Sequence, residues 1–253
     1  MFDSLEVLFT PAELVALSDR DLSQTTCVVF DILRATSTIV TALANGADSV
    51  IPVAEIPEAL EIRRQRHDVL LAGERDGWRI HAGLAGGVEF DLGNSPREFT
   101  ADKINGRTIV LSTTNGSRAL RACAHANAVL AASFLNLRAT SDFLRRHSPA
   151  RLLLICAGTR DQAAYEDVYG AGALIENFCG GAPKPGSADS AWMAWEAFDK
   201  HPNDPLTTLS HSRNGCRLQS MPELRDDIAF CAQLDIFPLV AKSTGGIITK
   251  APA

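Results

Sequence analysis

Asp31 is the residue whose type and position most strongly suggest chemistry. It follows directly on the apolar residues 28–30, where a strand is expected to end. An acid at such a place is costly unless it is paired or bound to a cation, and Mg²⁺ prefers oxygen ligands. Arg34, Thr36 and Ser37 follow at the start of a helical pattern, where backbone N–H groups favour an anion. We therefore predict that Asp31 is catalytic or binds Mg²⁺, that Arg34 is catalytic, and that Thr36 and Ser37 bind phosphate.

A second polar turn stands between an apolar strand pattern at residues 108–111 and a helical pattern from residue 118. Hydroxyls, an amide and backbone N–H groups beside a glycine can form a neutral cradle for phosphate. Ordinary helix capping is the alternative for either turn. The candidate phosphate ligands in the second turn are Thr113, Thr114, Asn115, Gly116 and Ser117.

Other acids and arginines follow strand patterns or lie in glycine-rich loops. Glu166 and Asp167 are adjacent acids in an apolar, glycine-rich stretch, which favours divalent-ion binding over a solvated face. Glu74 is a weaker metal candidate. Further predicted substrate ligands are Arg75, Asn94, Ser95 and Arg160.

Apolar runs of strand length alternate with helical patterns, which predicts an α/β fold with a largely parallel or mixed sheet flanked by helices. An offset of about 80 residues superposes VVFDILRATS on TIVLSTTNGS and AGERD on AGTRD. We interpret residues 26–76 and 107–161 as two duplicated βαβαβ-like units. Ligands of such sheets bind beyond the carboxyl ends of the strands, so the polar motifs should gather at one edge.

No linker divides the chain, so we expect one domain over residues 1–253. Residues 77–98 suggest a long irregular loop. Residues 190–235 are mostly helical in pattern, and residues 236–240 suggest a last strand.

Composition excludes several classes of partner. The formal net charge is −6, and the sequence has no run of Lys or Arg, which argues against nucleic acid and anionic membranes. The acidic N-terminus and the lack of a long apolar run favour a cytoplasmic protein. The local arginines suit a small anionic phosphorylated substrate.

Phosphoryl chemistry is the hypothesis that best unites a metal site with an anion cradle. The sequence contains no Walker P-loop and no G-x-S-x-G elbow. A haloacid-dehalogenase-like phosphatase is an alternative suggested by the run around Asp31. That class needs a second acid two residues after the first, where this sequence has Leu33.

Several motifs together resemble the 2-phosphosulfolactate phosphatases, in the same order over about residues 26–235. These motifs are VVFDILRATSTIVTALANGA, LLAGERDG, FDLGNSP, LSTTNGSRAL, SFLN, CAG followed by ED, and DDIAFC. The resemblance implies a Mg²⁺-dependent phosphatase with an α/β fold peculiar to that family. It also implies hydrolysis of 2-phospho-3-sulfolactate to 3-sulfolactate and phosphate, a step toward coenzyme M.

Three questions stay open at this point. The attacking group is either a metal-activated water or Asp31 itself. A non-catalytic binding protein for an organic phosphate or sulfonate is the alternative to an enzyme. A homodimer is an open alternative to a monomer.

Overall fold

The structure is a computed structural model that describes residues 3–202 and 204–251. Its strands are β1 (Ser4–Leu8), β2 (Thr25–Phe30), β3 (Ser49–Val53), β4 (Leu70–Arg75), β5 (Trp78–Arg79), β6 (Thr108–Ser112), β7 (Ala128–Ala132), β8 (Arg151–Cys156), β9 (Ala241–Thr244) and β10 (Ile247–Lys250). Its helices are α1 (Pro11–Val15), α2 (Ala35–Ala44), α3 (Ile56–Gln65), α4 (Ala101–Ile104), α5 (Gly116–Ala122), α6 (Leu137–His147), α7 (Tyr165–Cys179), α8 (Asp189–Asp199), α9 (Pro205–His211), α10 (Arg213–Gln219) and α11 (Asp226–Cys231). Three short 3₁₀ helices lie at Ala16–Asp19, Pro96–Glu98 and Phe134–Asn136.

All ten strands form one sheet in the order β1-β8-β2-β7-β9-β10-β3-β6-β4-β5. Strands β1, β8, β2 and β7 are parallel to one another, and so are β3, β6 and β4. The hairpin β9–β10 joins these two groups through antiparallel pairs, so the groups run in opposite directions. The prediction of an α/β fold with a mixed sheet is confirmed.

The two predicted units interleave within this sheet. The strands β2, β3 and β4 of the first unit correspond to β6, β7 and β8 of the second. The order β8-β2-β7 on one side of the hairpin is therefore matched by β4-β6-β3 on the other. Each unit has strands in both parallel groups, so neither forms a sheet of its own. The order suits two interleaved repeats, while the duplication itself stays a prediction.

Helices cover both faces of the sheet because its central strands are apolar on both sides. Val28 and Phe30 of β2 pack in one core with residues of α6, α7 and α8. Cys27 and Val29 face the other core, with residues of α2 and α5. Side chains that alternate along a strand point to opposite faces, so β2 is buried on both. The strand therefore fixes the position of the residue that follows it, Asp31.

The end of the chain differs from the sequence prediction. Residues 236–240 are not a strand; β9 and β10 follow them and fill the middle of the sheet. Gly245 and Gly246 form the turn between these strands with φ values of 58° and 82°. Glycine adopts such angles at little cost, so the Gly-Gly pair was the sequence signal for this hairpin. In the loop over residues 77–98, the structure adds the short strand β5 and the 3₁₀ helix Pro96–Glu98.

None of the helices among the described residues is long and apolar enough to cross a membrane.

Candidate active site

One pocket lies where the carboxyl ends of β2, β4, β6 and β8 meet. These strands come from both parallel groups. The close contact between Gly116, after β6, and Asp31, after β2, shows that ends from the two groups approach each other. Helix α10 contributes the remaining side of the pocket. The lining residues are Asp31, Leu33, Arg34, Glu74, Asp76, Gly77, Asn94, Thr114, Asn115, Gly158, Thr159, Arg160, Asn214, Arg217 and Leu218.

Asp31 is held by the start of α2. Its Oδ1 accepts a hydrogen bond from the backbone N–H of Ala35 at 3.1 Å. A Cβ atom on Gly116 would lie only 2.5 Å from Asp31 Oδ2, so a glycine is needed for α5 to begin this close to the carboxylate. Asp31 therefore lies between the first turns of two helices that belong to different units.

The surroundings of Asp31 raise its pKa to about 6. Burial is the largest cause, because it disfavours the charged form. The Ala35 N–H opposes this rise, and the negative charges of Glu74 and Glu166 add to it. Arg34 is too weak an opposing charge to cancel these effects. Asp31 is therefore an acid whose negative charge the protein alone does not compensate.

Glu74 is buried and positioned by three hydrogen-bond donors. Its Oε1 accepts from the backbone N–H and the hydroxyl of Thr114, at 2.8 and 2.9 Å. Its Oε2 accepts from the backbone N–H of Gly77 at 2.8 Å. Glu74 thus fixes both the turn after β4 and the turn after β6, beside Asp31.

Asp167 uses both carboxylate oxygens to join two loops. Its Oδ1 accepts from the backbone N–H of Ile32 at 2.8 Å, and its Oδ2 from that of Gly158 at 3.0 Å. Burial raises its pKa well above the usual range, and the negative charges of Glu166 and Asp31 raise it further. Asp167 therefore holds the ends of β2 and β8 together, and both of its oxygens already have donors.

Glu166 differs from Asp167 because one of its oxygens is left over. Its Oε1 accepts from Nδ2 of Asn214 at 2.5 Å. Its Oε2 is buried without a hydrogen-bond partner among the described residues. Burial is the main cause of a raised Glu166 pKa, while the Asn214 amide acts in the opposite direction. A buried carboxylate oxygen without a donor is one that a cation or a proton can satisfy.

Arg34 reaches the pocket from a buried ion pair. Its Nη1 lies 2.8 Å from Oδ2 of Asp227, and both side chains are almost fully buried. Its Nη2 donates to the backbone oxygen of Gly77 at 2.7 Å. Asp227 also accepts from the hydroxyl of Ser95 at 2.6 Å and lies 3.6 Å from Arg97. The guanidinium is therefore held in one orientation at the pocket wall.

The other predicted ligands separate into two groups. Asn94, Thr114, Asn115 and Arg160 line the pocket, and Asn94 Oδ1 is buried without a partner among the described residues. The other hydroxyl candidates and Arg75 do not line the pocket and bond to other protein groups. Thr36 donates to the backbone oxygen of Asp31 and Ser37 to that of Ile32, while the hydroxyls of Thr113 and Ser117 bond to each other. Arg75 donates to the backbone oxygens of Glu74, Ser112 and Ala54 and to the Ser112 hydroxyl. The Ser95 hydroxyl donates to Asp227.

Three residues in or beside the pocket carry no predicted role. Asn214 and Arg217 line the pocket, and Asp227, which the sequence analysis contains only within the motif DDIAFC, pairs with Arg34. All three come from the short helices after residue 204, where no strand precedes them. Asp227 stands directly before the buried Ile228 and four residues before the buried Cys231. An acid on the apolar face of a helix was the available signal.

A divalent cation fits this pocket, although no compact protein-only cage is present. Among residues 3–202 and 204–251, no three His, Cys, Asp or Glu side chains are grouped closely enough to hold a metal by themselves. Mg²⁺ is commonly bound by one or two carboxylates together with waters and substrate phosphate. Asp31 and Glu74 line the pocket and offer hard oxygen donors of that kind. Glu166 is not a lining residue, but it bonds through Oε1 to Asn214 of the lining and leaves Oε2 unpartnered among the described residues.

Comparisons with known proteins identify the class. A family model described as 2-phosphosulpholactate phosphatase matches residues 12–246. A probable 2-phosphosulfolactate phosphatase of Caldanaerobacter subterraneus subsp. tengcongensis is 36% identical over 237 residues, covering 92% of this chain and 93% of the relative. One of Thermotoga maritima is 40% identical over 222 residues, covering 88% of this chain and 90% of the relative. One of Gloeobacter violaceus is 35% identical over 253 residues, covering 98% of this chain and 99% of the relative.

These matches span nearly the whole chain and assign it to a class of phosphatases. The chain belongs to the 2-phosphosulpholactate phosphatase family. The resemblance found from the sequence motifs is thereby confirmed.

The raised pKa of Asp31 predicts how stability depends on pH. The folded-state pKa is about 6 and the ordinary value 3.8, so ionisation of Asp31 destabilises the folded protein progressively between these pH values. In the presence of chelator, Asp31→Asn should raise the free energy of unfolding by about 1–3 kcal/mol at pH 8. The gain should shrink toward zero at pH 4. Urea denaturation over this pH range measures it.

Asp68→Asn is the control for this experiment, because the Asp68 side chain is 72% exposed. It should change stability little at either pH. If Asp31→Asn does not raise the free energy of unfolding at pH 8, or raises it equally at pH 4 and pH 8, the raised pKa of Asp31 is contradicted.

The buried pair of Arg34 and Asp227 predicts a second effect. Asp227→Asn removes the charge that Arg34 faces and should lower the free energy of unfolding by on the order of 3 kcal/mol. Asp226→Asn is the matched control, because the neighbouring Asp226 side chain is 62% exposed and should contribute less than about 0.5 kcal/mol. Urea denaturation of both variants measures the difference. Equal stabilities would show that the pair does not anchor Arg34.

Proposed function

We propose that this protein is a Mg²⁺-dependent phosphatase that hydrolyses 2-phospho-3-sulfolactate to 3-sulfolactate and phosphate. The observation that carries the proposal is the pocket of Asp31, Glu74 and Arg34, in which Asp31, an acid of uncompensated charge, lies beside a fixed guanidinium. The substrate is taken from the names of the relatives, which are called probable 2-phosphosulfolactate phosphatases. We further propose that the reaction is cytoplasmic and supplies 3-sulfolactate toward coenzyme M.

The residues proposed to hold Mg²⁺ are Asp31 and Glu166, with Glu74 beside them. The supporting observations are the raised pKa of Asp31 and the unpartnered Oε2 of Glu166. Asp167 supports the site from behind, because its two oxygens already bond to backbone N–H groups. Bound Mg²⁺ would neutralise charge on the phosphoryl oxygens and lower the pKa of a bound water.

The protein's own residues would position the phosphoryl group. Arg34 offers its remaining N–H groups to negative charge that develops on the phosphoryl oxygens. Asp227 keeps that guanidinium from turning away, since it holds Nη1 at 2.8 Å. Thr114, Asn115 and Asn94 line the pocket with polar groups that carry no charge, and these can orient an anion without competing with the cation.

The attacking oxygen comes either from water or from Asp31. Attack by Asp31 would form an acyl phosphate and release the substrate's hydroxyl group, after which water would attack the phosphorus of this intermediate and free the carboxylate. Direct attack by water would form no acyl phosphate. Borohydride quenching during turnover, followed by mass spectrometry of the peptide that contains Asp31, separates the two routes, because an acyl phosphate is reduced to homoserine and a free carboxylate is not.

Phosphate release tests the proposed function directly. Wild-type protein with Mg²⁺ should release phosphate from 2-phospho-3-sulfolactate, and chelator should stop the release. Asp31→Asn should lower kcat/KM by about a hundredfold or more, because both the charge and a metal ligand are lost. Asp68→Asn should retain wild-type activity.

Two outcomes would contradict the proposal. One is release that is unaffected by chelator or by Asp31→Asn. The other is tight binding of 2-phospho-3-sulfolactate without turnover, which would support a non-catalytic binding protein instead.

A further inference from the structure

The proposed substrate carries more negative charge than the reacting phosphate alone. It also has a carboxylate on the carbon that bears the phosphate and a sulfonate one carbon further away. The inference below rests on the proposed function, because it asks which residue binds this more distant anion. A guanidinium is the side chain best suited to a planar or trigonal array of oxygens.

Three arginines line the pocket, namely Arg34, Arg160 and Arg217. Arg34 is the most deeply placed, at 4% exposure, and is already joined to Asp227. Arg75, which was a candidate for a second anion, instead donates to backbone oxygens and to the Ser112 hydroxyl. The choice for an outer anion is therefore between Arg160 and Arg217.

Arg217 and Arg34 flank the same tight turn. Arg217 Nη2 donates to the backbone oxygen of Asp76 at 2.5 Å, and Arg34 Nη2 donates to that of Gly77 at 2.7 Å. The carboxylate of Asp76 lies 3.8 Å from Arg217, but it is 82% exposed and offers only a weak, solvent-screened attraction. The two guanidinium groups are thus held beside consecutive peptide groups, one inside the pocket and one at its mouth.

The turn at Asp76 and Gly77, which holds Arg217, is itself held by Glu74. Asp76 and Gly77 have φ values of 53° and 81°, and Glu74 Oε2 accepts from the Gly77 N–H at 2.8 Å. Because Glu74 also holds Thr114, the turn has a defined position relative to Asp31. Arg160, by contrast, is exposed, and its side chain makes no hydrogen bond or ion pair with another described residue.

We infer that Arg217 binds the sulfonate of the substrate and sets the preference for a sulfonated phosphate ester. Its side chain is 42% exposed, so it stands at the mouth of the pocket while Arg34 stands inside. When the phosphate lies beside Asp31 and Arg34, the sulfonate, which is the anion furthest from phosphorus, lies nearest to the mouth of the pocket. Arg217 keeps N–H groups beyond the one given to Asp76, and these remain for the sulfonate oxygens.

Substrate pairs that differ in a single anion test this inference. 2-Phospholactate lacks the sulfonate, and phosphoisethionate keeps it but lacks the carboxylate. For Arg217→Gln, kcat/KM should fall by about ten- to a hundredfold with 2-phospho-3-sulfolactate and with phosphoisethionate, mainly through KM. With 2-phospholactate the change should be less than about threefold. Arg217→Lys should recover part of the loss, because the positive charge remains.

Arg145→Gln is the matched control. Arg145 is 47% exposed and, like Arg217, contacts an aspartate and a backbone oxygen, those of Asp142 and Asn177. Its helix α6 contributes no residue to the lining of the active-site pocket. The control should leave all three substrates unaffected, and circular dichroism should show that every variant is folded.

The outcomes separate this inference from the function on which it rests. Three results would overturn the role of Arg217 alone. In Arg217→Gln, kcat/KM could fall equally with all three substrates, or it could stay unchanged. The third result is a loss selective for the sulfonated substrates in Arg160→Gln but not in Arg217→Gln. In those cases the wild-type protein still hydrolyses 2-phospho-3-sulfolactate. If the wild-type protein releases no phosphate from it with Mg²⁺, the proposed function fails and the inference fails with it.

Discussion

Burial of several carboxylates at one point is the constraint on which the rest of this structure depends. Burial raises the pKa values of Asp31, Glu166 and Asp167, and the negative charge of Glu166 further raises those of Asp31 and Asp167. Asp167 is satisfied by two backbone N–H groups, but Glu166 retains an oxygen without a partner among the described residues. Evolution tolerates such unfavourable electrostatics chiefly at functional sites. A bound cation is the simplest way to relieve it.

The interleaved sheet explains how these acids meet. Strands β2 and β6 correspond in the two predicted units and lie on opposite sides of the β9–β10 hairpin. The turns that follow them pack together, so that Gly116 leaves room for the carboxylate of Asp31. Glu74 then joins the ends of β4 and β6 by its bonds to Gly77 and Thr114. A site of this kind requires both units, because each supplies only some of its walls.

Local sequence patterns predicted much of the fold and part of the site. Asp31 and Thr114 could be placed because each follows an apolar strand, and Glu74 because it stands near the end of one. The pairing of β2 with β7 and β8 could not be predicted, because periodicity describes single strands and not their distant partners. Arg217 and the role of Asp227 could not be predicted for a similar reason, since tertiary packing alone brings their short helices to the site. The C-terminal hairpin is a different case, because its Gly-Gly turn is a local signal that the sequence contains.

The most direct test of this account is the effect of Mg²⁺ on stability without substrate. Thermal unfolding of the wild-type protein and of Asp31→Asn should be followed at pH 7.5 while Mg²⁺ rises to about 10 mM, since a ligand that binds only the folded state raises Tm. We predict that Tm of the wild-type protein rises with Mg²⁺ and that Tm of the variant changes little. A wild-type Tm that does not respond to Mg²⁺, or an equal rise in both proteins, would contradict the claim that these carboxylates form a cation site.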